Sequence, residues 1–395
     1  MAKRKFRLPG VEDLNKDQDR VLRLPEDGQF LIVGGPGTGK SVVALLRAMK
    51  FSDGKDYIFL TYNRVLSSAT NQLTQGLNSN TLNSFFNEEL RAILKPVKNE
   101  LIQGKEDNKE QIQNCNSILI KNFGYDYKKI DKFLQDNNFE PTKTTRHLIV
   151  DEGQDMPPGY YERLIDFGYE NFFIVADQNQ QITDENSSRH DLTNLLALEV
   201  KNVIELAQNY RNSHSIALVA QHFFTDKSSP KPELPEVSKL ALGVPILYEY
   251  KDFHQCIKFI LREADRDLTN LIGVVVAKTT ILDICKRELE SMEIELDNKK
   301  PKIQSYQTGQ AVEIDFGEGG VVVLNASSVK GLEFDVVFVM LNGFEIYNND
   351  ENSMRKKLYV MSSRAIKKLI FFQSSSNNIT KILPSEKILQ RKRLS

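Results

Sequence analysis

Gly34-Gly35-Pro36-Gly37-Thr38-Gly39-Lys40-Ser41 is the stretch whose reading decides the fold. It fits G-x-x-x-x-G-K-[ST], a pattern in which glycines let backbone N–H groups curl around phosphate oxygens. The flanks supply the context that the pattern needs. An apolar run, Phe30 to Val33, leads in, and a helix-like run, Val42 to Met49, leads out. Strand, loop and helix in that order put phosphate at a helix N-terminus, where free N–H groups and the helix dipole favour an anion. On this reading Gly35, Gly37, Thr38 and Gly39 form the cradle. Lys40 reaches the β- and γ-phosphates, and the Ser41 hydroxyl takes Mg2+. The competing reading is a plain glycine-rich turn.

Outward from the loop, a turn at Ser52-Asp53-Gly54-Lys55 and a second apolar run, Tyr57 to Thr61, complete a βαβ unit, so a parallel sheet is expected. A helix is expected over 65–74. Residues 83–145 are rich in Lys, Asn, Gln, Asp and Glu, with apolar residues at helical spacing (Phe85, Phe86, Leu90, Ile93, Leu94, then Ile112, Ile118, Leu119). They read as a short helical insertion. A strand over 147–150 then runs into Asp151-Glu152-Gly153-Gln154-Asp155, and another over 172–176 into Asp177-Gln178-Asn179-Gln180. Polar groups at the C-terminal ends of strands are where an open α/β sheet places its ligand. A second α/β pattern starts near Asn209, with strands expected over 246–250, 272–277, 321–325, 336–340 and 369–372. Helices are expected over 213–224, 253–264, 280–292 and 352–365. Gly317-Glu318-Gly319-Gly320 reads as a hairpin and Arg391-Lys392-Arg393 as a solvated end. The fold class expected is α/β, with one domain over 1–207 and a second over 208–395.

The bulk numbers agree with two domains. The chain has 395 residues, enough for two or three cores. Its 52 Lys and Arg balance 53 Asp and Glu, so binding to nucleic acid would need a local groove rather than global basicity. Cys115, Cys256 and Cys285 make no metal or disulfide pattern. The apolar runs, such as Val336 to Leu341, fall short of the ~20 residues of a spanning helix, so no membrane partner is expected. Met1 to Lys5 lacks the apolar core of a signal peptide. A cytoplasmic protein is the expectation.

The carboxylates suggest the chemistry. Asp151 can hold Mg2+ through water, and Glu152 can polarise an attacking water. Gln180 can sense the γ-phosphate. Arg211 and Arg364, from the second half, can bring positive charge to that phosphate, where charge spreads over the transferring oxygens. A solvated strand end, a polar loop residue and surface salt bridges are the respective competing readings.

Taken together and in order, these residues resemble a superfamily 1 helicase of the UvrD/PcrA/Rep type. Leu14-Asn15-Lys16-Asp17-Gln18 resembles the Q motif, which implies that Gln18 reads adenine. Gly34 to Ser41 is similar to motif I and Leu60-Thr61-Tyr62-Asn63-Arg64 to motif Ia. Asp151 to Asp155 resembles motif II, and Val175 to Gln180 resembles motif III. Gln208-Asn209-Tyr210-Arg211 is similar to motif IV, implying that Tyr210 stacks on adenine and Arg211 meets phosphate. Lys330-Gly331-Leu332-Glu333-Phe334 is similar to motif V, implying that Glu333 binds the ribose. Leu358 to Ala365 resembles motif VI, implying that Arg364 is an arginine finger.

The resemblance implies two RecA-like domains, ATP and Mg2+ as cofactors, and 3′→5′ movement on single-stranded DNA. Tyr62, Asn63, Arg64 and Thr81 are the implied DNA contacts. The chain departs from that family in four places. After motif III it runs Gln181 to Asn186 without an aromatic, and base stacking is worth ~1–3 kcal/mol per base. Ser327 stands where motif V carries His, and Thr81-Leu82-Asn83 stands for Thr-Phe-His. The insertion of the second domain is essentially absent. A motor stripped in this way is expected to work with a protein partner, such as the nuclease or effector of an anti-phage defence system. The alternatives are an ATP-switched assembly module and an RNA-directed ATPase.

Overall fold

The computed structural model describes residues 7–74, 76–103, 125–180, 186–226, 231–236, 243–374 and 378–394. Ile112, Cys115, Ile118, Leu119 and the aromatic-free stretch 181–185 lie outside the described residues, as do parts of the proline-rich 228–240 segment.

Two α/β domains, each built on a wholly parallel sheet, make up the fold. The first sheet takes β1 (Gln29–Gly34), β2 (Tyr57–Thr61), β3 (Ser79–Thr81), β4 (Thr144–Val150), β5 (Tyr169–Ala176) and β6 (Val203–Leu206), in the order β3-β2-β4-β5-β1-β6. Its helices are α1 (Lys16–Leu22), α2 (Lys40–Phe51), α3 (Arg64–Leu73), α4 (Leu82–Gln103), α5 (Tyr127–Asp136), α6 (Pro158–Asp166) and α7 (Arg189–Leu195). Burial on both faces explains why the central strands are unbroken apolar runs rather than alternating ones. In β1, Leu31 and Val33 join one core with Leu148 and Val150, while Phe30 and Ile32 join the core on the opposite face with Val43 and Ala48.

The second sheet takes β7 (Ile246–Glu249), β8 (Leu271–Val276), β9 (Ile303–Ser305), β10 (Gly320–Asn325), β11 (Phe334–Met340), β12 (Ala365–Gln373) and β13 (Gln390–Arg393). Their order is β13-β7-β12-β11-β8-β10-β9. Helices α8 (His214–His222), α9 (Phe253–Arg266), α10 (Thr279–Ser291) and α11 (Glu351–Ser363) accompany it. Val321 and Val323 face one core, and Val322 and Leu324 face the other. This is the architecture of two RecA-like domains.

Two local expectations change. Gly317 to Gly320 is not a hairpin, because β9 and β10 run parallel. Gly317 N donates to Asp315 Oδ1 at 2.9 Å, and a Cβ on Gly319 would lie 2.0 Å from Leu268 O. The glycines there allow close backbone approach at the entry to β10. Arg391 to Arg393 is not a free end but an edge strand, paired with β7 through Arg391↔Leu247 and Lys392↔Tyr248, its side chains exposed. The sheet topology then sets the site. In the first sheet β4, β5 and β1 are neighbours, so the loops after them share one edge. In the second sheet Phe334 pairs with Ala365, so the residues just before β11 and β12 lie side by side.

Candidate nucleotide site between the two domains

A cavity of about 600 Å3 opens between the domains. The phosphate loop forms its floor. Gly39 precedes α2 in a left-handed conformation, φ 86°, with no side chain capping the helix, so the N-terminal N–H groups of α2 are left for a ligand. The loop is held by its own carbonyls. Lys40 Nζ donates to Gly35 O at 2.7 Å and Thr38 Oγ1 to the same oxygen at 2.9 Å. Gln18 Nε2 donates to Thr38 O at 3.0 Å, and Tyr210 N donates to Gly37 O at 2.8 Å. Burial lowers the pKa of Lys40, with Asp177, 3.9 Å away, opposing that shift.

The carboxylates stand at the ends of β4 and β5. Ser41 Oγ donates to Asp151 Oδ1 at 3.1 Å. Burial, and then the charge of Glu152, push the Asp151 carboxyl up to about 7. Burial opposes charge on Glu152 too, but Lys330, Arg364 and Lys40 outweigh it and hold that carboxyl below its usual range. Gln154 Nε2 donates to Glu152 Oε2 at 2.6 Å, and Gln154 Oε1 accepts from Asp177 N at 3.0 Å. One amide thus ties the two strand ends together.

The second domain closes the cavity. Arg364 is 2% exposed, and its Nη2 donates to Gln180 Oε1 at 2.8 Å and to Ser363 Oγ at 3.0 Å. Burial, followed by the nearby charge of Arg211, lowers its pKa to about 10, which leaves it charged at neutral pH. Gln180 Nε2 donates onward to Asp177 Oδ2 at 2.6 Å. Arg211 pairs with Glu333. Tyr210 is 38% exposed and lines the same space, as do Gln18, Asn15 and Gly331.

The structure therefore gathers Gln18, Gly37, Gly39, Lys40, Ser41, Glu152, Gln180, Tyr210, Arg211, Glu333 and Arg364 around one cavity. Gly35, Thr38 and Asp151 are bonded directly to the lining residues Lys40, Gln18 and Ser41. Three of these residues also bond within the protein. Gln18 Oε1 accepts from Asn15 N at 3.1 Å while its amide holds Thr38, so Gln18 braces the phosphate loop. Glu333 and Arg211 pair with each other beside the cavity.

The implied DNA contacts divide. Arg64 and Thr81 line a polar groove of about 460 Å3 with Ser67, Asn71, Asn80 and Ser84. Asn63 is the N-cap of α3, its Oδ1 accepting from Leu66 N at 2.8 Å. Tyr62 is half-buried, with Lys330 Nζ 5.6 Å from its ring centroid. Two buried side chains that the motifs did not single out also join the domains. Lys330 Nζ lies 2.7 and 2.6 Å from the two oxygens of Asp155, and Asn179 Oδ1 accepts from Thr225 N and Asp226 N at 2.8 and 3.0 Å. A further buried side chain, Asn212, bonds within the second domain. Lys330 lies inside the quoted Lys-Gly-Leu-Glu-Phe stretch, so a buried-lysine reading was within reach. Among the described residues no group of His, Cys, Asp and Glu has the arrangement of a metal cluster, and no helix is long and apolar enough to cross a membrane.

Residues 19–185 match the family model described as an AAA domain. A protein of Acanthamoeba polyphaga mimivirus, provisionally described as ATP-dependent DNA helicase R568, is 24% identical over 388 residues, covering 91% of this chain and 53% of its own length. The chain is similar to ATP-dependent DNA helicases. It spans about half the length of that relative. A solved C-terminal domain of a possible DNA helicase from Lactobacillus plantarum WCFS1 matches 46% of this chain and 98% of its own, at 16% identity and a TM-score of 0.33.

Proposed function

We propose that the chain is an ATP-driven motor that hydrolyses ATP between its two domains and moves 3′→5′ on single-stranded DNA, as the UvrD type does. The observation that carries this reading is the convergence on one cavity of a phosphate loop and Glu152 from one domain with two arginines from the other. A site split across a cleft couples the state of the nucleotide to the spacing of the domains.

In this reading Gly35, Gly37, Thr38, Gly39 and Lys40 hold the phosphates and Tyr210 stacks on the base. Glu152 accepts the proton of the attacking water. Arg211 and Arg364 leave Glu333 and Gln180 and turn to the γ-phosphate, where buried positive charge is worth several kcal/mol of barrier. Ser41 and Asp151 fit Mg2+, since Ser41 lines the cavity and its hydroxyl lies 3.1 Å from the desolvated carboxyl of Asp151, which sets two hard oxygen donors side by side. The ion, when bound, would neutralise phosphate charge. The groove at Arg64 and Thr81 would follow the strand backbone.

A second reading, an ATP-switched assembly module, draws support from Tyr62, whose ring faces Lys330 rather than standing free for a base. ATP turnover with and without single-stranded DNA, at two salt concentrations, separates the two. The motor requires strong stimulation that fades with salt, because phosphate contacts release counterions. Turnover indifferent to DNA would reject the motor and favour the switch. Single-stranded RNA as the better activator would move the reading to an RNA-directed ATPase.

A further inference from the structure

Asn212 follows Arg211 and is 2% exposed. Its side-chain amide donates to Ser363 O at 3.0 Å and to Ala365 O at 2.6 Å. These are the carbonyls on either side of Arg364, and together they use both amide hydrogens. The amide oxygen accepts from Asn209 Nδ2 at 3.0 Å. Asn209 Oδ1 in turn accepts from Arg211 N at 3.0 Å and Asn212 N at 3.2 Å. The turn they form delivers Tyr210 N to Gly37 O at 2.8 Å. A continuous set of bonds thus runs from the phosphate loop to both sides of Arg364.

The strand geometry shows what this set replaces. Arg364 ends α11 and directly precedes β12, and Phe334 N donates to Arg364 O at 3.0 Å. The β11–β12 register then shifts between Phe334 and Val336. The arginine therefore sits at an irregular point of the sheet, next to a carbonyl bonded to a side chain. A neutral amide is the group that satisfies all three partners. A carboxylate would set oxygen against two carbonyls, and a hydroxyl has a single hydrogen to give.

We infer that Asn212 is a positioning residue for Arg364. It fixes the backbone from which the guanidinium reaches the cavity, and it ties that position to the phosphate loop through Tyr210 and Gly37. The inference rests on the proposed role of Arg364 in ATP hydrolysis.

The test is a double-mutant cycle on the full chain. ATP turnover is measured for Asn212→Ser and Asn212→Asp, each alone and combined with Arg364→Ala, beside thermal unfolding and affinity for a fluorescent ATP analogue. Expected are falls in kcat of about tenfold for the serine and about a hundredfold for the aspartate, with KM within about twofold. On the Arg364→Ala background neither change should cost further activity. Should the aspartate variant fail to fold, the serine variant carries the cycle. Equal fold-losses with and without Arg364, or a loss of affinity that accounts for the fall, overturn the positioning role while leaving the ATPase reading intact. Wild-type turnover retained in Arg364→Ala alone, or no turnover by the wild type, overturns the parent reading instead.

Discussion

Glu152 is held in place by its backbone as well as its contacts. It adopts φ 59°, a left-handed conformation that is uncommon for a side chain other than glycine. Its carboxylate receives Gln154 Nε2 and lies 3.6 Å from the Lys330 ammonium. An acceptor kept ionised beside the phosphate loop suits a proton-taking role. Glu152→Gln should retain ATP binding within about threefold and lose about a hundredfold or more in kcat, the usual scale for removing a general base. Lys40→Ala should instead lose tight binding itself. Equilibrium binding beside single-turnover hydrolysis checks both, and full turnover by the glutamine variant would remove Glu152 from the chemistry. At this scale the sequence was informative where spacing carries the signal. The phosphate loop, the Asp-Glu pair and the two arginines are all nameable from their neighbours in the chain. The bonds of Asn212 to Ser363 and of Lys330 to Asp155 were not, because each joins residues more than a hundred positions apart, beyond the reach of any local pattern.

Among the elements, those that carry apolar runs were the readable ones. β2 falls where its residues predicted, and the central strands of both sheets agree to within a few residues, because burial on both faces leaves an unbroken apolar signature. The strands that escaped were β3, β9 and β13, short edge strands such as Ser79–Thr81 with polar sequences and no run to read. The Gly317 to Gly320 turn misled for a related reason, since glycines announce a bend without saying whether the next strand returns parallel or antiparallel. The loop that leads into it carries a prediction of its own. Ile314 and Phe316, each 2% exposed, share a core with Val65 and Ala69 of α3, which belongs to the other domain. Gln72 on α3 adds hydrogen bonds to Ile314 O at 2.7 Å and from Phe316 N at 2.9 Å. Phe316→Ala should cost about 3–5 kcal/mol, the usual range for emptying a buried aromatic site, while Gln72→Ala, on an exposed residue, should cost about 1 kcal/mol. Urea unfolding measures both. A Phe316→Ala variant as stable as the wild type would mean that this loop does not fasten the two domains together.

The whole molecule depends on a charge with no exposure. Lys330 is 0% exposed, reaches from the second domain into the first, and places its ammonium on Asp155 and on the carbonyl of Gln180. Such a pair draws on the Coulomb attraction between its members to offset the loss of water around each. Removing one partner is therefore worse than never having had either. Lys330→Met should leave the Asp155 carboxylate buried without its cation and lower stability by about 3–5 kcal/mol. Adding Asp155→Asn should recover part of that loss, because a neutral amide carries no unpaired charge. Calorimetry of the wild type, the single variants and the double variant forms the cycle. If the domains are coupled through this pair, the single lysine variant should melt earlier and the double variant between it and the wild type. A lysine variant that melts with the wild type would show that the pair adds nothing to domain closure, and the cleft would then be held by the α3 packing and the other bonds across it, such as Arg364 to Gln180 and Thr225 to Asn179. The sign of the double variant is the sharper discriminator. Simple loss of packing at Lys330 would make Asp155→Asn neutral or additive, whereas a buried unpaired carboxylate makes it restorative.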